Sequence, residues 1–372
     1  MIRAEIDLGA IRQNARALRG LAGDAAVMAV VKADGYGHGA VQVAQAALAG
    51  GAEWLAVATV GEAGALRGAG IEAPVLVFAA PLPDALGAYV RHDLRVTVSS
   101  EEAARAVVEA ARRSGPLVAH VKVDTGMHRL GVAPDAAAAL VRRLQAAPGV
   151  RVEALWTHLA TADEPDTSFA STQIDRFRRA LDDLGDDAPR LVHVANGPAL
   201  VRGLVPELGP AQIVRAGGVL YGLASSPSLV ADVEAAGLRP AMRLVSRVVH
   251  LQTVEAGESV SYGQTWTAQA PTRVATVAAG YADGVVRSYR GPVGVGTLRA
   301  PVVGRVCMDM LLVDLGAPGG PGDAVRIGEE ATLFGTGGAR AEDAATQAGT
   351  ISYELTSGLT SRVPRVALRD GP

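Results

Sequence analysis

Residues 25–39 read Ala-Ala-Val-Met-Ala-Val-Val-Lys-Ala-Asp-Gly-Tyr-Gly-His-Gly, and a helix-forming stretch opens at Ala40. The run Ala25 to Val31 has the β-branched, uninterrupted apolar character of a strand buried on both faces. Lys32 closes that strand. A lysine in such a place is often a surface residue that snorkels to water. If it instead loses hydration, its ammonium pKa falls and its amine becomes free to condense with an aldehyde. Gly35, Gly37 and Gly39 let the chain turn sharply and approach a ligand, ahead of a helix N-terminus whose free N–H groups favour an anion. The unit is a strand, a glycine-rich turn and a helix.

The same unit repeats downstream. Strand candidates are Ala26 to Lys32, Trp54 to Thr59, Pro74 to Ala79, Leu94 to Val98, Leu117 to Asp124, Arg151 to His158, Arg190 to Ala195 and Gln212 to Val219. Between them lie helical stretches such as Ala40 to Ala49, Ser100 to Arg113, Asp135 to Ala147 and Thr172 to Leu184, the second with an N-cap supplied by Ser99-Ser100-Glu101-Glu102 and acidic residues in its first turn. Eight alternating units predict an α/β fold, a (β/α)8 TIM-like barrel, ending near Leu223. After a last helical piece, Ser228 to Ala236, the pattern changes to short β-branched runs separated by Gly/Pro turns. These are Met242 to Glu255, Thr272 to Val277, Gly291 to Val295, Val302 to Met308, Leu311 to Asp314, Asp323 to Ile327 and Ala331 to Phe334, followed by a helix at Glu342 to Gly349. The expected division is a barrel over 1–235 and a mostly β C-terminal domain over 236–372.

Composition narrows the function classes. The 372 residues are 49% hydrophobic, enough for a large core, and 35 Lys and Arg against 38 Asp and Glu leave no basic footprint for nucleic acid. No apolar run reaches the roughly 20 residues of a membrane span. Met1 to Glu5 leads into Ile6 without a secretory apolar core, and the single cysteine, Cys307, cannot form an intrachain disulfide. A cytoplasmic protein with a small-molecule partner, no nucleic acid, no membrane and no metal is expected.

In such a barrel the chemistry belongs to residues just after the strands. Lys32 and Tyr36 follow the first, Lys122, Asp124 and Arg129 the fifth, His158 closes the sixth, Asn196 and Gly197 follow the seventh, and Arg215, Gly217 and Gly218 lie at the eighth. Phosphate groups commonly bind after strands seven and eight, where Asn196-Gly197-Pro198 and Gly217-Gly218 fall. Each glycine pair alone could be an ordinary turn. A lysine beside an anion cradle is nevertheless the combination that pyridoxal 5′-phosphate requires.

Ordered motifs along the chain then point to one family. They include Val-Val-Lys-Ala-Asp-Gly-Tyr-Gly-His-Gly from Val30, Val-Lys-Val-Asp-Thr-Gly-Met-His-Arg-Leu-Gly from Val121, Thr-His-Leu-Ala-Thr-Ala-Asp from Thr157 and Val-Arg-Ala-Gly-Gly-Val-Leu-Tyr-Gly from Val214. The second half adds Val-Ser-Tyr-Gly-Gln-Thr-Trp from Val260, Gly-Tyr-Ala-Asp-Gly from Gly280, Val-Gly-Arg-Val-Cys-Met-Asp from Val303, and Tyr353 followed by Ser-Arg-Val-Pro-Arg from Ser361. Together they resemble the bacterial alanine racemases over nearly the whole chain.

The resemblance implies a pyridoxal-phosphate enzyme that interconverts L-alanine and D-alanine, a cell-wall precursor, as a head-to-tail homodimer. It implies that Lys32 holds the cofactor and is one acid/base, and that Tyr281 is the second, supplied by the other subunit to the opposite face of the substrate. Two groups suit racemisation, since a proton leaves one face and another arrives on the other. Arg215 would face the pyridine nitrogen, with His193 supporting it and His158 packing on the ring. Guanidinium donates and cannot accept, so that nitrogen would stay unprotonated and the cofactor a weak electron sink, which favours prompt reprotonation. Tyr36, Asn196 with Gly197, Gly217 with Gly218, and Tyr353 would hold the phosphate. Where the family often has serine after the asparagine this chain has Gly197, whose backbone alone could serve. Arg129 and the Met308 amide would bind the substrate carboxylate, with Asp309 in the same motif. Lys122 matches a lysine that is carbamylated in some members, and its acquired negative charge would orient Arg129. Serine racemisation, a basic amino-acid decarboxylase of the same fold, and a non-enzymatic pyridoxal-phosphate carrier are the alternatives.

Overall fold

The computed structural model describes residues 2–368. Eight parallel strands, Ala26–Val30, Trp54–Val57, Val75–Val77, Leu94–Val98, Leu117–Lys122, Val150–Trp156, Leu191–His193 and Ala211–Ala216, close into a barrel. Closure is made by the first and last, with Ala26 beside Ile213 and Met28 beside Arg215. All eight expected strands and the TIM-like class are therefore present, the strands mostly shorter at their C-terminal ends. Ser100 caps its helix, accepting from the Ala103 amide at 3.1 Å.

The strand period of two decides what faces where. Val27, Ala29 and Val31 pack outward under the helices, while Met28 and Val30 join Ala56, Leu76 and Ile213 inside the barrel. The same parity directs Lys32, Lys122, His193 and Arg215 inward, at or just above the C-terminal ends of their strands.

The second unit is an antiparallel sheet running Leu298–Ala300, Val293–Val295, Glu330–Phe334, Met242–Val254, Thr272–Val277, Leu311–Asp314 and Val302–Val303. Two expected strands change. Val302 to Met308 shortens to Val302–Val303, and Asp323 to Ile327 is not a strand, because Pro321–Ala324 forms a 3-10 turn whose Asp323 carboxylate accepts from the Gly319 amide. The chain's opening strand, Arg3–Asp7, was not read from the sequence. It pairs antiparallel with Met242–Val254 and parallel with Arg365–Leu368, after which Asp7 caps the helix Leu8–Leu21 that returns to the barrel.

Candidate active site

Between Lys32 and the helix Ala40–Ala49 the backbone makes a left-handed turn. Ala33, Asp34, Gly35 and Tyr36 have φ of 53°, 51°, 63° and 51°, a conformation unfavourable for all of them except glycine. External hydrogen bonds hold it. Glu62 accepts from the Ala33 amide at 2.7 Å while also accepting from Ala58 and Thr59, and Asp34 accepts from the Ala40 amide at 2.9 Å. Gly37 is required by φ +80° and by space, since a Cβ there would fall 1.9 Å from the Thr356 carbonyl oxygen. The anion cradle expected at the Ala40 helix is thus corrected: the chain's own Asp34 carboxylate occupies that N-terminus.

The turn delivers Lys32 into a cavity of about 360 Å³, together with Tyr36, Arg129, His158, Asn196, Gly197, Arg215, Gly217, Gly218 and Tyr353. Burial lowers the Lys32 pKa, Arg129 lowers it further, and Glu62 opposes both. Arg129 stands exposed at the rim. Lys122 is buried behind the cavity wall with its amine 4.4 Å from the Trp156 ring. Burial first, then Arg129 and Arg215, pull its pKa down to about 7. Lys32, Lys122, Arg129 and Arg215 make the region strongly cationic, whereas the carboxylate lining the cavity, Asp163, is engaged by the Ser225 hydroxyl at 2.6 Å. An anionic ligand fits this imbalance.

Arg215 is locked in place. Its Nη1 donates to the His193 carbonyl at 2.7 Å and meets His193 Nδ1 at 3.1 Å. Its Nη2 donates to the carbonyls of Thr157 and Val194 and meets His158 Nδ1 at 3.2 Å. Among the described residues this leaves Nε–H as its donor for a ligand. Burial and the neighbouring cations keep His158 and His193 well below the usual imidazole pKa, so both are neutral.

Opposite Lys32 lies a glycine-lined recess. A Cβ on Gly197 would meet the Val219 side chain at 2.5 Å, one on Gly217 the Tyr36 hydroxyl at 2.7 Å, and one on Gly218 the Tyr353 ring at 2.0 Å. Gly197 and Gly218 each open a short helical turn, where amides have no partner within the turn. Asn196 caps the first of these, accepting from the Ala199 amide at 3.1 Å. Tyr36 packs on Tyr221 and edge-on to Tyr353, at centroid distances of 4.9 and 5.4 Å. The barrel-derived candidates and Tyr353 are brought together; Tyr281, Met308 and Asp309 are not among the residues lining this cavity. They form a second group on the β-rich unit, where the Tyr281 amide donates to the Cys307 carbonyl and the Ala282 amide to that of Met308. Gly280 permits this, since a Cβ would lie 2.1 Å from the Met308 oxygen. Tyr281 and Met308 are 41% and 53% exposed. Asp309 pairs with Arg362 at 2.8 Å.

Sequence reasoning missed Glu62, Asp163 and Ser225. A Thr59-to-Glu62 capping box was legible, with Thr59 three residues before Glu62, but not that its carboxylate also reaches the Ala33 amide. Nothing local connects Asp163 to Ser225.

Comparison with known proteins agrees with this geometry. A family model described as "Alanine racemase, N-terminal domain" matches residues 6–225, and one described as "Alanine racemase, C-terminal domain" matches 241–367. An alanine racemase of Mycobacterium ulcerans is 44% identical over 98% of this chain and 95% of its own length. One of Thermobifida fusca is 41% identical over 98% and 97%. Among solved structures, the enzyme of a D-cycloserine-producing Streptomyces lavendulae superimposes with a TM-score of 0.89 at 40% identity, covering 99% of this chain and 97% of that one. That of Bacillus anthracis, solved with bound L-Ala-P, gives 0.89 at 34%, covering 100% and 96%. With both family models spanning its two units and full-length relatives well above 30% identity, the chain belongs to the alanine racemase family of isomerases.

Proposed function

We propose that this protein interconverts L- and D-alanine with pyridoxal 5′-phosphate held at Lys32, using Lys32 and Tyr281 as its two acid/base groups. The observation that carries the reading is the cavity itself: a lysine of lowered pKa at one end, a recess that only glycines leave open at the other, and a free Arg215 Nε–H between them. The cofactor supplies an aldehyde for the lysine amine and a ring that withdraws electrons from Cα. Lys32 holds it covalently and moves a proton at one face of Cα. Tyr36, Tyr353 and the amides of Gly197, Gly217 and Gly218 receive the phosphate, while Asn196 shapes that turn. Arg215 donates to the ring nitrogen, and His158 packs on the ring.

Arg129 binds the substrate carboxylate through its bidentate fork. Tyr281 and the Met308 amide do not line their own protomer's cavity, and their joint exposure supports a head-to-tail homodimer in which the β-rich unit, 236–372, completes the site of the other copy. Asp309 steadies this surface through Arg362. The unpaired Cys307 is consistent with a reducing compartment, and we place the enzyme in the cytoplasm.

The test is incubation of the cofactor-loaded protein with L-amino acids in heavy water, following Cα deuterium and chirality together. Racemised, deuterated alanine dominating the panel is expected. Faster turnover of serine moves the specificity, amine formation replaces the reading with a decarboxylase, and no reaction leaves a cofactor carrier.

We further propose that Lys122 is carbamylated. As an ammonium it would add a cation to the cluster around Arg129, whereas with a pKa near 7 a substantial fraction is free amine able to add CO2. The carbamate's negative charge then orients Arg129. Because only the deprotonated amine reacts, occupancy should rise as pH increases through about 7. In protein equilibrated with 13C-bicarbonate, a carbamate carbon resonance that follows this trend and is missing from Lys122→Met is expected; an unmodified lysine at pH 8 would reject it.

A further inference from the structure

Below Arg215 the barrel interior carries a line of polar groups that the proposed chemistry does not touch. His193 Nε2 lies 3.0 Å from His120 Nδ1, and His120 Nε2 lies 3.0 Å from Glu153 Oε2. Glu153 is held in turn by Arg151 at 2.9 Å and Arg95 at 3.4 Å. Both histidines are fully buried, and Trp156 stacks on His193 at 5.0 Å with 16° between the rings.

A break in strand parity makes this line possible. Ala119 pairs with Val152 but His120 with Ala154, so Glu153 is an extra residue in its strand. Val150, Val152 and Leu155 all join the outer core, a spacing of three where two is the rule. The bulge turns Glu153 beside inward-facing His120.

The donor directions follow from Arg215. Its Nη1 can only donate, so His193 Nδ1 must accept and the His193 proton sits on Nε2. That proton points to His120 Nδ1, placing the His120 proton on Nε2, which donates to the Glu153 carboxylate. We propose that His120 and Glu153 are positioning residues for the racemase reaction: the floor carboxylate fixes both histidine tautomers and thereby holds Arg215 with its Nε–H toward the cavity. This rests on the functional reading above. Without the carboxylate, the other neutral tautomer of His120 would donate to His193, put the His193 proton on Nδ1, and set it against the Arg215 N–H.

The test uses the 15N-histidine-labelled holoenzyme without alanine, comparing wild type with Glu153→Met, Glu153→Gln and His120→Phe. Gln can still accept from His120, so E153Q should keep the wild-type Nε2–H pattern at His193. E153M should move His193 toward the Nδ1–H form, and both E153M and H120F should shift the bound cofactor's absorption and lower kcat about tenfold with KM changed less than twofold. H120F keeps a ring but breaks the line, and its absorption and kcat decide should E153M fail to fold. A wild-type His193 tautomer in folded E153M overturns the inference even if alanine is racemised, as does an unchanged kcat in either folded variant. A shifted tautomer in a protein that never racemises alanine supports the line of hydrogen bonds and overturns only the functional reading.

Discussion

Lys32→Ala is expected to lower alanine racemisation in both directions on the order of 10⁴-fold, the upper range for losing a positioned acid/base, with KM giving no compensation. No other lysine can take over: Lys122, the neighbouring amine, lies behind the wall of the cavity. The removed side chain leaves space for a small primary amine, so methylamine should restore part of the rate, increasingly at higher pH where more of the added amine is unprotonated. Lys32→Arg keeps a cation but no nucleophilic amine at neutral pH, and should be as inactive and resist rescue. Racemisation by Lys32→Ala within tenfold of wild type would refute the role.

Tyr281→Phe is expected to cost roughly 10² to 10³-fold in racemisation, and the loss should be lopsided. One enantiomer still has Lys32 on its proton's side and should exchange Cα hydrogen for deuterium without inverting. The other should do neither. A mixing experiment separates a shared site from a self-contained one. Lys32→Ala and Tyr281→Phe chains, each nearly inactive, form hybrid dimers in which one site combines the intact Lys32 of one chain with the intact Tyr281 of the other. With random exchange, half the dimers are hybrid and half their sites intact, so about a quarter of wild-type activity should return. Silence in the mixture, with exchange shown by tagged chains, would exclude sharing.

The barrel was legible because its signals are local. Each strand is an apolar run, each helix follows within a short loop, and strand parity predicts that Lys32 shares a face with Met28 and Val30. Where local pattern and structure part, distant contacts decide. Arg3–Asp7 is five residues whose partners lie at Met242–Val254 and Arg365–Leu368, so nothing nearby marks it as a strand. The Ser352–Ser357 helix that carries Tyr353 is too short to show a period. Ala33, Asp34 and Tyr36 adopt left-handed backbone that their residue types disfavour, because Glu62 ties the turn from outside and Asp34 ties it to the Ala40 amide. Glu153 defeats parity outright, since a bulge sets which face it takes. Lys32 and Arg215 were accessible from spacing and motif. So was His193 against Arg215, whereas Glu62 behind the Lys32 turn and the His120–Glu153 pair behind His193 were not.

The pairing of Arg3–Asp7 also has a consequence for how the chain folds. The strands it joins are far off in sequence: Arg3 to Ile6 lie beside Val245 to Met242, and Ala4 to Asp7 beside Arg365 to Leu368. The barrel strands pair with neighbours closer in sequence and can close first, while the sheet edge beside Met242–Val254 stays open until Arg3–Asp7 returns to it across that long loop. Arg3–Asp7 acts as the final stitch, and each folding molecule passes through a stage with an unsealed edge.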